Sequence, residues 1–428
     1  MAHVGPFAAD RGVWLRTVRR AAAALASGHQ LQLLQGGVEL FSAMIDEIGR
    51  AQHEVMLETY IFDFVGAGAE VAIALLDAAR RGVTVRLMVD GVGTPRVPAD
   101  WQQRFDAAGV QWHIFSPLGR LGLLLPSRWR RLHRKLCVVD GLTAFCGGIN
   151  VLDDYHDPQH GRMQAPRFDF AVRVRGPLVR SAHEVMRQLW WRAQALRQMR
   201  ERDLAAAWES ARRSGKVRPK AGQLATERRK NRSASKAALV LRDNIQNRRT
   251  IERAYLKAIG AARHDITIAN AYFLPGRKLR RALIHAARRG VQVRVLLQGR
   301  YENFMSYHAA RPVYGTLLAA GIELHEYSPS FLHAKVAVID ADNRQPWVTV
   351  GSSNLDPLSL LLAREANVVA ADPQFARDLK ERLELAMRTQ GSRLDHTLFA
   401  QRKLWSRALD WLAYGLMRFA LALTGKRY

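Results

Sequence analysis

Two stretches of this chain are written to one pattern. His133, Lys135 and Asp140 are spaced His-x-Lys-x4-Asp, and 200 residues later His333, Lys335 and Asp340 repeat that spacing. Each copy runs on to a pair of small residues and an asparagine, Gly147-Gly148-Ile149-Asn150 and Gly351-Ser352-Ser353-Asn354. A lone His-x-Lys would be chance; two complete copies with matching tails are not. A chain that contains a copy of itself is constrained to fold twice into the same unit.

The duplication extends beyond the motif. Ile48-Gly49 with Ala51 and His53-Glu54 answers to Ile259-Gly260 with Ala262 and His264-Asp265. Ala78 to Val83 answers to Ala286 to Val291, and Ala108-Gly109 through Pro117 to Ala320-Gly321 through Pro329. In the first copy, apolar periodicity predicts helices over 38–51, 70–81 and 101–108 and strands over 55–60, 83–89 and 110–115. Strands alternating with helices indicate an α/β sandwich in each half.

Apolar residues follow each motif lysine, so each segment reads as a buried strand. On a strand, His133 and Lys135 share one face, as do His333 and Lys335. Asp140 and Asp340 have the opposite parity, and Asp140 precedes Gly141 as in a hairpin turn. They read as strand-end anchors more than as reacting groups. A lysine beside a histidine suits phosphate chemistry. The ammonium holds phosphoryl oxygens, and the imidazole can attack phosphorus or move a proton near neutral pH.

The duplicated motif resembles the phospholipase D superfamily. Gly351 to Ser359, Ala271 to Pro275 and His133 to Gly141 look more closely like the bacterial cardiolipin synthases of the shorter B type. The resemblance covers roughly residues 30 to 390 and implies two tandem α/β sandwich repeats, packed sheet against sheet around a pseudo-twofold active site. It implies His133, Lys135, Asp140, His333, Lys335 and Asp340 as the catalytic signature. Asn150 and Asn354 would bind substrate phosphate, and Asp169 and Glu365 would orient the histidines. It further implies phosphatidyl transfer between two phosphatidylglycerol molecules, giving cardiolipin and glycerol through a phosphatidyl-histidine. His133 is taken as nucleophile and His333 as acid and base, although the sequence also permits the exchange. No metal or other cofactor is required by the residues present.

Charge bears on the partner. The chain carries 65 Lys and Arg against 38 Asp and Glu, a net +27, which suits a polyanion, either anionic membrane or nucleic acid. Cys137 and Cys146 sit in apolar strand-like runs and read as buried thiols, and no Cys/His cluster has zinc spacing. The start of the chain lacks the pattern of a signal peptide.

The expected organisation is a basic segment over 1–28, a first repeat over 29–198, a basic linker over 199–236, a second repeat over 237–392 and a tail over 393–428. Residues 13–26 read equally as a surface-docking or a packing helix. An apolar, Gly-rich segment, 118–129, suits a membrane-touching loop or a buried crossover equally. In the tail, residues 404–423 are hydrophobic, but Arg407, Asp410 and Arg418 argue against a span. They lie with Lys403 and Tyr414 on one stripe, so an interfacial amphipathic helix is expected, with a helix docked on the core as the competing reading. These features favour lipid over nucleic acid and place the protein peripherally at the cytoplasmic side of a bacterial inner membrane. The rivals are a hydrolase of phospholipid or nucleic acid using water as acceptor, and a non-catalytic binder of membrane or nucleic acid.

Overall fold

The computed structural model describes residues 25–119, 129–157, 160–215, 235–243, 247–301, 304–356 and 363–423. Residues 13–24 of the expected helix and most of the 118–129 segment lie outside them, and Ala26, expected to end that helix, opens a strand instead.

The first half contains β1 (Ala26–Gln35), β2 (Glu54–Thr59), β3 (Thr84–Asp90), β4 (Gln111–Phe115), the two-residue β5 (Arg131–Leu132), β6 (Lys135–Val139), β7 (Thr143–Gly147), a small hairpin of β8 (His156–Asp157) and β9 (Gly161–Arg162), and β10 (Phe170–Arg175). The second half contains β11 (Ser235–Arg242), β12 (Asp265–Asn270), β13 (Gln292–Gln298), β14 (Glu323–Tyr327), β15 (Lys335–Ile339), β16 (Trp347–Gly351), β17 (Ala363–Ala371) and β18 (Gly391–Arg393). The first sheet is ordered β1-β10-β7-β6-β2-β3-β4 and the second β11-β17-β16-β15-β12-β13-β14, with β18 added at its edge. The order is the same strand for strand.

In each half three strands are parallel, β2-β3-β4 and β12-β13-β14. They are joined by helices such as Gly66–Arg80 and Arg277–Arg288. Leu75, Leu76 and Leu87 are among the residues buried between helices and sheet in the first half, and Leu283, Val295 and Leu317 in the second. The two sheets meet edge to edge through β1 and β11, in an irregular register, and face to face where β7 and β10 approach β16 and β17. A third core, including Cys146, Val172, Val350 and Val368, fills that interface.

The motif strand is interrupted where a continuous strand was expected. β6 begins at Lys135, and His133 sits in a break after β5. β5 leaves its own sheet and pairs in parallel with β17 of the other half. The second half repeats this with a single parallel bridge between Leu332 and Phe168. The alternation of faces survives the break. Arg134 points away from His133 and forms a buried ion pair with Glu58.

Residues 199–236 are not linker throughout. They take in the end of the helix Leu178–Arg200 and then the helix Leu204–Arg213, whose Ala207 and Ser210 are buried and which packs on it. Asp203 caps it by accepting from the Ala206 amide. Residues 216–234 lie outside the described residues, and β11 begins two residues before the expected start of the second repeat.

The tail helix Leu404–Leu423 docks on the core along one stripe. Asp410, expected on a polar face, is buried: it accepts from Arg402 Nη1 at 2.9 Å and lies 2.7 Å from His308 Nδ1. Ala413 and Met417 continue that stripe into the core, against the helix Phe304–Leu318. On the other side Leu404, Trp405, Trp411, Leu412, Leu416 and Phe419 are all more than half exposed. Among the described residues no helix is long and apolar enough to cross a membrane.

Candidate active site

The crossing of β5 and its counterpart decides the site. His133 N donates to Arg364 O at 3.1 Å and His333 N to Phe168 O at 2.9 Å, so each histidine is tethered to the backbone of the opposite half. The residue after each tether is acidic. His133 Nδ1 lies 3.0 Å from Glu365 Oε1, and His333 Nδ1 lies 2.7 Å from Asp169 Oδ2. The carboxylate of one repeat therefore orients the histidine of the other. An Nδ1–H donated to an ionised carboxylate leaves Nε2 with its lone pair, the form needed to attack or to take a proton, whereas a protonated carboxyl donating to Nδ1 leaves the proton on Nε2, the form needed to give one.

The two pairs are supported differently. Gly148 lies against Asp169: a Cβ there would meet its carboxylate at 2.4 Å. The corresponding Ser352 instead donates its hydroxyl to Glu365, and the Ala366 amide donates to Ser352 Oγ at 3.1 Å. Asp169 Oδ1 accepts from the Phe170 amide at 2.8 Å.

Both histidines line one cavity of about 570 Å³ built from the two halves, together with Asn150, Asp169 and Asn354. Asn150 Oδ1 accepts from the Ile61 amide at 3.2 Å, which leaves its amide nitrogen as a donor. The lysines lie behind the histidines. Lys135 Nζ donates to His133 O at 2.8 Å, and Lys335 Nζ donates to His333 O. Asp140 and Asp340 stand apart from the cavity wall. Each takes a positive φ, 50° and 52°, at the end of its strand. Asp140 accepts from the amides of Gln52, His53 and Glu54, and Asp340 from those of Arg263, His264 and Asp265. Each carboxylate is thus engaged with backbone amides at its strand end, and neither lines the cavity.

Electrostatics separate the pairs further. Burial pushes the Glu365 carboxyl up, but His133, Lys135 and the Ser352 hydroxyl together bring it below its ordinary value. Burial raises Asp169 to about 7 despite Lys335. His133 is lowered by burial, partly offset by Glu365, whereas burial and both lysines take His333 well below its ordinary value. Burial lowers Lys135 to about 7, with Glu365 opposing.

A family model described as cardiolipin synthase, PLD-like domain, matches residues 44–160 and 255–386, which hold both motifs. Cardiolipin synthase B of Escherichia coli strain K12 is 35% identical over 400 residues, 93% of this chain and 90% of that protein. The chain belongs to the cardiolipin synthases.

A cardiolipin synthase from a Geobacillus species is 29% identical over 89% of this chain and 70% of its own length. Among solved structures, phosphatidylserine synthase of Haemophilus influenzae superposes over 97% of this chain and 99% of its own, with a TM-score of 0.66 at 13% identity, which shows a shared fold. This member of the cardiolipin synthases is thus a phosphatidyltransferase of the phospholipase D superfamily.

Several residues at this synthase's site have no signature in the sequence. Tyr60 ends a predicted strand, yet its ring centre lies 5.1 Å from that of His133 and 5.4 Å from Lys135 Nζ. Asp154, Asp157 and Arg167 come from the polar stretch after Asn150, and Arg311, Tyr314 and Met417 from helices far along the chain.

Cys137 and Cys146 are buried, unpaired thiols, and burial pushes both up to about 12.

Proposed function

We propose that this chain makes cardiolipin from two phosphatidylglycerol molecules through a phosphatidyl-histidine. The observation that carries the reading is the pair of histidines at one cavity, each with Nδ1 held by a carboxylate from the opposite half. His133, beside the carboxyl held low, is the nucleophile: Glu365 fixes its tautomer and stabilises the positive ring that forms. His133 Nε2 attacks phosphorus as the P–O bond to glycerol breaks. His333 Nε2–H gives its proton to the leaving oxygen. Asp169, whose carboxyl is raised to about 7, returns a proton to His333 Nδ1. In the second step the hydroxyl of another phosphatidylglycerol attacks phosphorus, its proton passes to His333, and the P–N bond breaks. The Lys135 and Lys335 charges and the Asn150 and Asn354 amides stabilise the phosphoryl oxygens as charge builds.

The partner in this reading is an anionic phospholipid membrane. The exposed apolar face of the helix Leu404–Leu423 supports it. That face would enter the lipid headgroup region while Arg407 and Arg418 meet anionic heads. It favours a lipid over a nucleic-acid substrate, although the net charge alone suits both. The protein would sit peripherally on the cytoplasmic side of the inner membrane.

The test is to incubate the purified chain with phosphatidylglycerol vesicles and follow lipids by mass spectrometry, beside His133→Ala. Cardiolipin formed by the unmodified chain alone is expected. Phosphatidic acid alone would make water the acceptor, and no change in any lipid would overturn a self-sufficient phosphatidylglycerol transferase.

A further inference from the structure

The two halves of the site are copies, but the reaction gives them different work. One lipid gives up its phosphatidyl group; the other brings a second phosphodiester that must be held without reacting. Positions where the halves differ are therefore where donor and acceptor can be told apart.

One such difference lies directly behind the histidines. β3 ends Asp90-Gly91-Val92, and β13 ends Gln298-Gly299-Arg300. The two places are structurally equivalent. Asp90 Oδ2 accepts from the Leu132 amide at 2.6 Å, and Gln298 Oε1 accepts from the Leu332 amide at 3.2 Å. The Gly91 amide donates to Phe115 O, and the Gly299 amide to Tyr327 O, each at 2.8 Å. On this common frame the charges have been rearranged. In the first half Arg131 pairs with Asp90 at 3.1 Å, and position 92 is valine. In the second half a neutral Gln298 replaces the aspartate and Phe331 replaces the arginine. The guanidinium appears instead at Arg300, 5.1 Å from the Phe331 ring.

Arg300 lines the cavity with three other arginines. Arg131 faces Asp90, Arg167 lies 2.6 Å from Asp157, and Arg311 lies 2.8 Å from Glu326. Arg300 has no carboxylate partner among the described residues. An exposed guanidinium backed by an aromatic ring presents its N–H edge outward, in the fork that matches a phosphodiester.

We propose that Arg300 anchors the phosphodiester of the acceptor lipid, an anionic subsite present in the second half alone. The inference rests on the transferase reading above and adds the means by which the acceptor is chosen over water. The donor phosphate sits between the histidines. The acceptor's phosphate is one glycerol unit away from its attacking hydroxyl and needs a cation in the cavity wall.

The experiment compares the unmodified chain, Arg300→Gln and Arg300→Lys in phosphatidylglycerol vesicles containing deuterated glycerol. Three products are counted: cardiolipin, phosphatidylglycerol with a deuterated headgroup, and phosphatidic acid. Exchange with glycerol uses the same donor but an uncharged acceptor. In Arg300→Gln, cardiolipin is expected to fall about 10-fold or more relative to glycerol exchange, the effect of one lost charge-assisted hydrogen bond. Arg300→Lys is expected to recover part of the loss. Retained exchange also shows that the variant is folded. A fall of cardiolipin and exchange together, or of neither, would overturn the subsite. So would a loss of vesicle binding equal to the loss of cardiolipin, because Arg300 would then act only as a general membrane charge. Glycerol exchange or phosphatidic acid without cardiolipin in the unmodified chain would instead remove the cardiolipin-forming reading, and the acceptor subsite with it.

Discussion

Glu365 is 232 residues from His133 in the chain, yet its carboxylate is 3.0 Å from the His133 ring. Asp169 stands in the same relation to His333, 164 residues away, at 2.7 Å. Neither half carries a complete site. Each lends its acid to the other, and the exchange is fixed by the backbone tethers from His133 to Arg364 and from His333 to Phe168.

Removing either member of the His133–Glu365 pair should disable the same step. Glu365→Gln keeps the shape but loses the charge that holds the tautomer. It should lower kcat by about 100- to 10,000-fold with little change in KM. Combined with His133→Ala it should cause no further loss, because the two act as a unit. Additive losses in steady-state kinetics would separate their roles.

Activity should fall as pH rises through about 7. Asp169 is raised to about 7 and Lys135 lowered to about 7. Above that value the site loses both the reserve proton for the leaving group and a positive charge on the phosphate. The nucleophile His133 is lowered from the ordinary histidine range, so it stays neutral until the pH drops below that range. The kcat/KM profile should therefore fall on the alkaline side with two ionisations, and Asp169→Asn should leave the shallower, single-ionisation limb of Lys135. An unchanged alkaline limb in Asp169→Asn would refute the assignment.

Asp140→Ala should damage stability and not chemistry. Its carboxylate gathers three backbone amides at the end of β6, and they hold its carboxyl below the ordinary value. Because the folded value is depressed, the stabilisation is present above the unfolded value near 3.9 and is lost as pH falls through the folded one. Loss of these bonds is expected to cost about 1–3 kcal/mol. A thermal melt should drop by several degrees while kcat measured well below the transition changes less than about 3-fold. A large fall in kcat without a change in melting would return the aspartate to the reacting set.

The tail helix supplies a test of membrane docking. Trp411→Glu and Leu416→Glu alter exposed positions and leave the buried Asp410 and Met417 contacts intact. Together they should weaken co-sedimentation with anionic vesicles about 10-fold or more, because two apolar side chains are replaced by charges. Circular dichroism should show an unchanged fold. Unaltered sedimentation would assign the face to something other than lipid.

Cys137 and Cys146 should resist a water-soluble thiol reagent in the native state. Both are buried and both are pushed up to about 12, so almost no thiolate is available. Labelling should appear only on unfolding; rapid native labelling of Cys146 would show that the interface between the sheets opens, and of Cys137 that the helix layer of the first half does.

The sequence carried the repeat, its α/β character and most element positions. The helix Leu404–Leu423 falls where periodicity places it. The turn at Asp140-Gly141 was legible because both residues take positive φ there, 50° and 65°. These signals are local: a side chain's parity on a strand, or its stripe on a helix, is set by its neighbours a few residues away. The same local rule failed at Asp410. Helical periodicity gives the stripe but not which stripe meets protein, and His308 and Arg402 made a charged position an inward one.

The sequence by itself thus determined that the chain contains two like units, each bearing a histidine, a lysine, an asparagine and an acid of known type. Tertiary structure alone decided that each acid serves the other unit's histidine, that the motif strand breaks so that β5 can pair with β17, and that Arg300 reaches the cavity with no carboxylate beside it among the described residues. The reason is physical. Those relations come from pairings between segments far apart in the chain, selected by the packing of two sheets around a shared core, and no periodicity along one segment records them.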